Sequence, residues 1–379
     1  MSIQGYLDWQ KSTRDIRAKG PTEIVSATQM RSYIAGTLIN LQGKVEMPGG
    51  KYITIKPKMG SYTPAAFSHS KKRRTITQGD VLDEGNVRFC LQEKAKILDE
   101  FDIDFNDDNP EKYVDNADLI DKSFNEAIGT GMEQALFAKP DASMEGITGG
   151  PVDYPALSIP ALFCPEYQGV PQGVSWGSTI GGISPTTWDN WRPAGVSTNS
   201  TNSDNAQIRY LSGSPFDEND GVYACMEKIW TRANFMQDLE GNTGHVKTAM
   251  GQMLFVTGEL GTDKYRACCF ARGEAYTRTD ELGRYLFHGI PVRSAAIIDQ
   301  TNLDFATSYA SPYGKNNPAF WLLNANHAWI KFKSGHMWVE SDPIKAGPEL
   351  YNINAIWKHA FWQFFIPDDR RRCGVLVAA

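Results

Sequence analysis

The sequence predicts an α+β fold, and three features carry that prediction. Short runs rich in β-branched and aromatic residues, bounded by Gly, Pro and polar turns, read as strands. Two long stretches place apolar residues at steps of three and four, the spacing of a helix that buries one face. The chain also closes on a stretch from Trp357 to Ala379 whose five large aromatics must find a core, since each removes roughly 150 to 250 Å² from water. Ten Trp, fifteen Tyr and eighteen Phe, with 34 Gly and 20 Pro, fit strands joined by long ordered loops.

Residues 1 to 42 are polar and mixed in charge, with one helix expected from Thr22 to Leu41. This segment reads as an extended arm that orders against other structure. From Lys51 the run KYITIKPKM alternates as a strand, and Pro57 suits it to an edge. A second strand-like run, NVRFCLQEKAKIL, begins at Asn86. The long polar segment between them makes a protruding hairpin with a large tip, near which lie Lys71, Lys72, Arg73 and Arg74.

Between Asp99 and Asp121 ten acidic residues face a single Lys112. Asp104, Asn106 and Asp108 alternate like the start of a calcium loop, but Asn109 stands where such a loop needs glycine, which argues against that site. Helix initiation explains the same residues: Asn109 caps, Pro110 fits the first helical position, and the acids favour the positive end of the dipole. A helix of about 25 residues follows. Its stripe is expected to run through Val114, Ala117, Ile120, Phe124, Ala127, Ile128, Gly131 and Ala135, and it stops before Pro140.

The region from Asp141 to Gly213 is loop-rich. Its glycine-rich piece GSTIGGISPTTWDNWRPAG has neither G-x-G-x-x-G nor GK[ST], so it is not read as a nucleotide cradle. A second helix is expected from Ser214 as cap and Pro215 as opening residue, with Asp217 and Glu218 in its first turn. Val222, Met226, Ile229, Ala233 and Met236 make its stripe. Strand candidates follow in QMLFVTGEL, YRACCFA, RYLFHGIPVRSAAIID, AFWLLNANHAWIKF and HMWVES.

Composition excludes several functions. The net charge of −6 opposes free-standing nucleic-acid binding, which needs a basic surface to displace counterions. No apolar run is long enough to span a membrane. Cys90, Cys164, Cys225, Cys268, Cys269 and Cys373 lack C-x-x-C spacing and read as free thiols. The histidines form neither H-E-x-x-H nor H-x-H, and there is no G-x-S-x-G elbow, so neither catalytic nor metal residues are assigned and no cofactor is expected. His327 and His359 read as hydrogen-bonded packing residues on aromatic runs.

The order of features is more specific than any one of them: polar arm, charged hairpin, acidic turn into a long helix, glycine-rich segment with T-x-W-x-x-W, and aromatic end with RRR-x-GVL. This order resembles the major capsid proteins of tailed bacteriophages, which share the Hong Kong 97-type fold. The local matches are ISPTTWDNW at Ile183 to Trp191, GIPVRSAAIID at Gly289 to Asp299 and WKHAFWQFFIPDDRRRCGVL at Trp357 to Leu376. The resemblance covers the chain from about Gly49 onward.

The resemblance implies an N-terminal arm at 1–42 and an extended E-loop at 43–98. It implies a P domain at 99–165 that holds the spine helix, an A domain at 166–314, and a return to the P domain at 315–379. It further implies that copies assemble as hexamers and pentamers into an icosahedral shell. The shell would enclose double-stranded DNA without sequence-specific binding, in a virion assembled in the host bacterial cytoplasm. Portal and scaffolding proteins, and a decoration protein, would be partners, the scaffold being separate if the chain of the mature particle starts at Met1 and separate or fused otherwise; no membrane partner is implied. Inter-subunit contacts are expected from Lys71, Lys72, Arg73 and Arg74 to Asp102, Asp104, Asp107 and Asp108 of a neighbour, and from Arg370, Arg371 and Arg372 near a three-fold. Phe124, Ile128, Trp188, Trp191, Trp357 and Trp362 are the expected core. Two other readings remain at this stage: an encapsulin-type compartment shell, and a β-rich surface protein that uses its aromatics on carbohydrate.

Overall fold

The computed structural model describes residues 34–42, 45–48, 50–55, 84–99, 110–138, 156–163, 180–183, 191, 209–210, 216–218, 220–238, 253–272, 285–299, 319–342, 344–345, 353–367 and 370–378. In chain order these form helix α1 (Ile34–Leu41), strands β1 (Glu46–Met47), β2 (Tyr52–Ile55), β3 (Gly85–Arg88) and β4 (Cys90–Asp99), and the long helix α2 (Pro110–Leu136). The short helix α3 (Ile159–Leu162), β5 (Arg209–Tyr210), α4 (Val222–Asp238), β6 (Met253–Thr257) and α5 (Glu259–Ala271) follow. Next come β7 (Leu286–Phe287), β8 (Ile290–Ser294), a 3₁₀ turn (Ala296–Asp299), β9 (Phe320–Asn324) and β10 (Trp329–Lys333). The chain ends with β11 (Val339–Glu340), β12 (Ile344–Lys345), β13 (Ile353–Phe365), a 3₁₀ turn at Arg370–Arg372 and β14 (Gly374–Ala378).

The chain forms two compact units, each made of three segments. The first takes Met1–Lys51, Phe89–Leu136 and Ile330–Gln363; the second takes Tyr52–Arg88, Phe137–Trp329 and Phe364–Ala379.

In the first unit a six-stranded sheet gathers around β13. β4 runs antiparallel to it from Ile353 opposite Asp99 to Trp362 opposite Cys90, while β12 and β11 pair with it at Asn354–Ala355 and Lys358–His359. β10 lies on its other flank in the strand order and carries β1 in parallel. Strand alternation then assigns the side chains. Ile356, Lys358, Ala360 and Trp362 are buried, and α2 covers that face: Lys358 Nζ donates to Asn125 Oδ1 at 2.9 Å, and Trp362 Nε1 donates to Gln92 Oε1 at 2.7 Å. Gln92 also comes within 3.0 Å of where Gly131 of α2 would carry a Cβ.

α2 starts at the expected Pro110 and ends before Pro140, over 27 residues. Among its described side chains, from Ser123 on, the buried face runs through Ile128, Gly129, Met132, Glu133 and Leu136, with Ala127 exposed and Phe124 only half-buried; the side chains of Val114, Ala117 and Ile120 lie outside the described residues. The expected stripe was rotated because Ala and Gly weigh little in an apolar pattern and sit equally well at a face's edge. Trp357 corrects a second expectation. It is 38% exposed, because it lies on the β13 face opposite α2, with His359 and Phe361.

The second unit is built on another six-stranded sheet, in the order β5-β14-β9-β6-β8-β7. α4 lays Val222, Cys225, Met226, Ile229 and Ala233 into a core with Tyr265, Cys268 and Cys269 of α5 and with Phe255, Phe287, Phe320 and Leu376 of the sheet. The stripe of α4 is the expected one as far as Ala233, but the helix begins later than Ser214. Asp217 and Glu218 precede it in a turn where the Asp217 carboxylate accepts from Asp220 N at 2.9 Å and the Asp217 carbonyl accepts from Gly221 N. YRACCFA is helix rather than strand: Gly261, Tyr265, Cys268 and Cys269 are buried at helical spacing, which overrides the β preference of Tyr, Phe and Cys. The hairpin expected before residue 98 is present at its base, with β2 and β3 antiparallel from Tyr52 opposite Arg88 to Ile55 opposite Gly85. Its second run is not one strand. It breaks at Phe89, β3 pairing with β2 and β4 with β13.

The two tryptophans of β13 separate core from surface by experiment. Trp362→Ala is expected to cost the isolated subunit about 3–5 kcal/mol, and Trp357→Ala less than ~1 kcal/mol, both read from urea unfolding midpoints.

Candidate functional site

The hairpin base and the glycine-rich segment meet within the second unit. Ile180 and Ile183 bridge each other around Gly181 (φ 63°) and Gly182 (φ 88°), backbone angles that side chains with a Cβ rarely adopt. The Gly181 carbonyl accepts from Asn86 N at 2.9 Å. A Cβ on Gly85 would stand 2.6 Å from that carbonyl and 2.7 Å from Ile183 Cδ1. The glycines therefore let two backbones touch at the root of the hairpin, where Ile53, Ile55 and Val87 are buried and Tyr52 is exposed under the Arg88 guanidinium.

The three terminal arginines form a second constellation in this unit. They make the 3₁₀ turn before β14, packed against α4. Arg370 is 3% exposed; its Nη1 donates to the Trp191 carbonyl at 3.1 Å and its guanidinium stands 5.3 Å from the Trp191 ring centre. Arg372 is also buried, with Nη1 3.2 Å from His327 Nε2. Arg370 and Arg372 are thus interior residues of their own subunit, not the surface contacts expected of them. The reason is tertiary: Trp191 and His327 lie 179 and 45 residues away. His327 keeps the expected packing role. The Arg371 side chain, Asp368 and Asp369 lie outside the described residues, as do Lys71, Lys72, Arg73, Arg74, Asp102, Asp104, Asp107, Asp108, Trp188 and the rest of the calcium-like run. Trp191, Ile128 and Trp362 are buried as expected.

In the first unit the face of β13 away from α2 carries Trp357, His359 and Phe361, with Leu91 of β4 opposite Phe361 and Val339 of β11 opposite His359. His336 packs edge-on to Phe361 at 5.3 Å, and Lys333 Nζ lies 5.6 Å from the same ring. Trp357, Leu91 and Val339 are exposed here, so this is an apolar sheet face open within the subunit.

Glu133 is a buried, helix-capping acid that pattern reading missed. It sits on the buried face of α2, where its Oε1 and Oε2 accept from Ile34 N and Ala35 N, each at 3.0 Å. Drawing the stripe through Ile128, Met132 and Leu136 would have exposed the acid among apolar residues.

Little here resembles reactive chemistry. Burial pushes the Cys225 and Cys268 thiols up to about 11, which leaves them protonated and poorly nucleophilic near neutral pH. Among the described residues no three His, Cys, Asp or Glu side chains are grouped to hold a metal ion, and no helix is long and apolar enough to cross a membrane.

No protein-family model and no curated protein matches the sequence. Solved structures do. The chain is similar to one in the cyanophage A-1(L) capsid asymmetric unit, with a TM-score of 0.52 and 13% identity over 89% of this chain and 91% of that one. Looser matches are a Mycobacterium phage Bobi chain (TM-score 0.45, 12% identity, 90% of both chains) and a Gordonia phage Cozz chain (TM-score 0.45, 12% identity, 90% of this chain and 86% of that one). The first likeness shows a mixed α/β fold of the kind found in a phage capsid subunit.

The buried arginine is open to a direct test. Arg370→Ala is expected to destabilise the subunit by about 2–4 kcal/mol in urea unfolding, through loss of a charged hydrogen bond and a buried ring contact. Arg370→Lys should recover only part, because an ammonium cannot keep both.

Proposed function

We propose that this chain is the major capsid protein of a tailed phage, a structural protein that assembles as hexamers and pentamers into an icosahedral shell around double-stranded DNA. The observation that carries the reading is the fold likeness to a capsid chain across nine-tenths of both molecules. In this reading residues 1–42 are the arm, 43–98 the E-loop, 99–165 and 315–379 the P domain with α2 as its spine, and 166–314 the A domain. Portal and scaffolding proteins, and a decoration protein, are its partners.

The chemistry suits that role. A ring of identical subunits needs a heterologous contact, in which one patch meets a different patch on the next copy. A long hairpin with a rigid root supplies one, and the glycine-lined contact under β2 and β3 supports such a root. Lys71, Lys72, Arg73 and Arg74 then meet acids of a neighbour, Asp102, Asp104, Asp107 and Asp108. Each exposed pair contributes only ~0 to 1 kcal/mol, but a shell repeats it many times. The open aromatic face of β13 is apolar area that a shell can cover.

The expressed chain, separated by size exclusion and viewed by electron microscopy, is expected to show capsomer rings or closed shells; a monomer or small oligomer under all assembly conditions rejects the reading. Particles that carry nucleic acid separate a virion shell from a protein-filled compartment. Reversing the four basic residues to glutamate should leave the subunit's circular dichroism and thermal midpoint unchanged while abolishing or weakening assembly. Normal shells at both low and high salt would place the contact elsewhere.

A further inference from the structure

β4 and β11 both pair with His359 of β13, through Glu93 and Val339, so they lie on opposite edges of that strand. Residues directly opposite one another share a face of the sheet. On the face turned away from α2, Val339, His359 and Glu93 therefore make one row, with Phe361 and Leu91 in the next row on one side and Trp357 on the other. Phe361 N donates to the His336 carbonyl at 3.1 Å, and the His336 ring packs on those of Phe361 and His359. Lys333, whose carbonyl accepts from His336 N, reaches the Phe361 ring from the same edge. The result is an apolar ridge with unlike charges on its flanks, Lys333 on the β11 side and the exposed Glu93 on the β4 side. Leu91 is 50% exposed, and Trp357 and Val339 38% each. Apolar area gathered in this way on one face marks a surface that another surface covers.

We propose that this face is a two-fold contact between two copies of the chain, in which β13 of one copy lies over β13 of the other with the axis along the strands, so that Lys333 of each meets Glu93 of the other.

The charges choose this arrangement. A two-fold contact joins the same patch on both copies, and for two facing sheets its axis lies in the plane between them. An axis across the strands sets β4 over β4 and brings the two Glu93 carboxylates together. An axis along β13 sets β4 over β11 and brings unlike flanks together, while Trp357, His359 and Phe361 meet their own copies. The strands then run aligned, in sheets about 10 Å apart. Flanks that fit each other need no second kind of surface, which makes the occupant a second copy. The contact is small: three strands spaced ~4.8 Å apart and about 14 Å of strand length fall well short of the ~800 Å² per partner of a stable complex. Two copies therefore join weakly, and repetition supplies the rest.

This deepens the shell reading, on which it rests for the second copy, by naming one surface through which copies meet. Sedimentation velocity of the full-length chain over about 1 to 100 µM, the range of a weak contact, is expected to show two copies, or two capsomer rings, joining reversibly as concentration rises. Glu93→Lys should weaken that step roughly five- to tenfold, because two symmetry-related pairs are lost. Lys333→Glu should do the same, and the chain carrying both changes should regain association. Trp357→Asp should abolish the step while the circular dichroism spectrum is kept. Association that does not depend on concentration over this range overturns the proposal. So does a double variant no better than either single one, which would place Glu93 and Lys333 in different contacts, as a head-to-tail ring would. Normal shells from the Trp357→Asp protein overturn the proposal and leave the proposed function standing. Charge-swapped association in a chain that never forms rings or shells counts against the proposed function alone.

Discussion

The backbone of β13 is the element on which the first unit depends. Its thirteen residues are the pairing partner of β4, β11 and β12, and β10 joins the sheet beside it. Without β13 those strands would leave rows of N–H and C=O groups without bonds, and each such group costs free energy when shielded from water. The strand also sorts side chains by alternation alone. One face presents Ile356, Ala360 and Trp362 to α2, and the other presents Trp357, His359 and Phe361 away from it. α2 in turn holds α1 through Glu133, so the first described element of the chain rests on the packing that β13 organises.

The second unit solves a different problem, which is how to root a hairpin whose connecting segment is long. A tight approach of two backbones needs residues without Cβ atoms, and Gly85 and Gly181 meet that need while Ile53, Ile55 and Val87 provide the apolar seat. The buried arginines play a comparable role at the other end of the chain. Their charge is costly to bury, and the Trp191 carbonyl, the Trp191 ring and His327 offset that cost. The turn before β14 is tied by these groups to parts of the chain far away in sequence.

Much of this was legible beforehand where the signals are local. Pro110 and Pro140 bracket α2 because proline fits the first turn of a helix and cannot sit in its interior. The hairpin base was legible from the alternation of YITI, and the strand character of β6, β8, β9 and β10 from dense β-branched and aromatic runs. What failed did so where local signals are weak or point two ways. Ala127, Gly131 and Ala135 do not define a face, YRACCFA has strand composition at helical spacing, and Trp357 looks like core until the opposite face of its strand is seen to be the covered one. In the candidate site, the role of Trp191 as core was legible from its size, but its bond to Arg370 was not.

The sequence by itself determined where α2 begins, the stripe of α4 as far as Ala233, the strand character of most aromatic runs and the order of parts that resembles a capsid subunit, because periodicity, proline and capping act within a few residues. Only the tertiary structure decided which face of α2 is buried, that Arg370 and Arg372 turn inward, that Gly181 meets the hairpin root, and that Glu133 caps α1. Each of these joins residues from about fifty to more than a hundred and fifty positions apart, and what a buried charge or a free N–H finds as its partner is set by the packing of the whole unit, not by its neighbours in the chain.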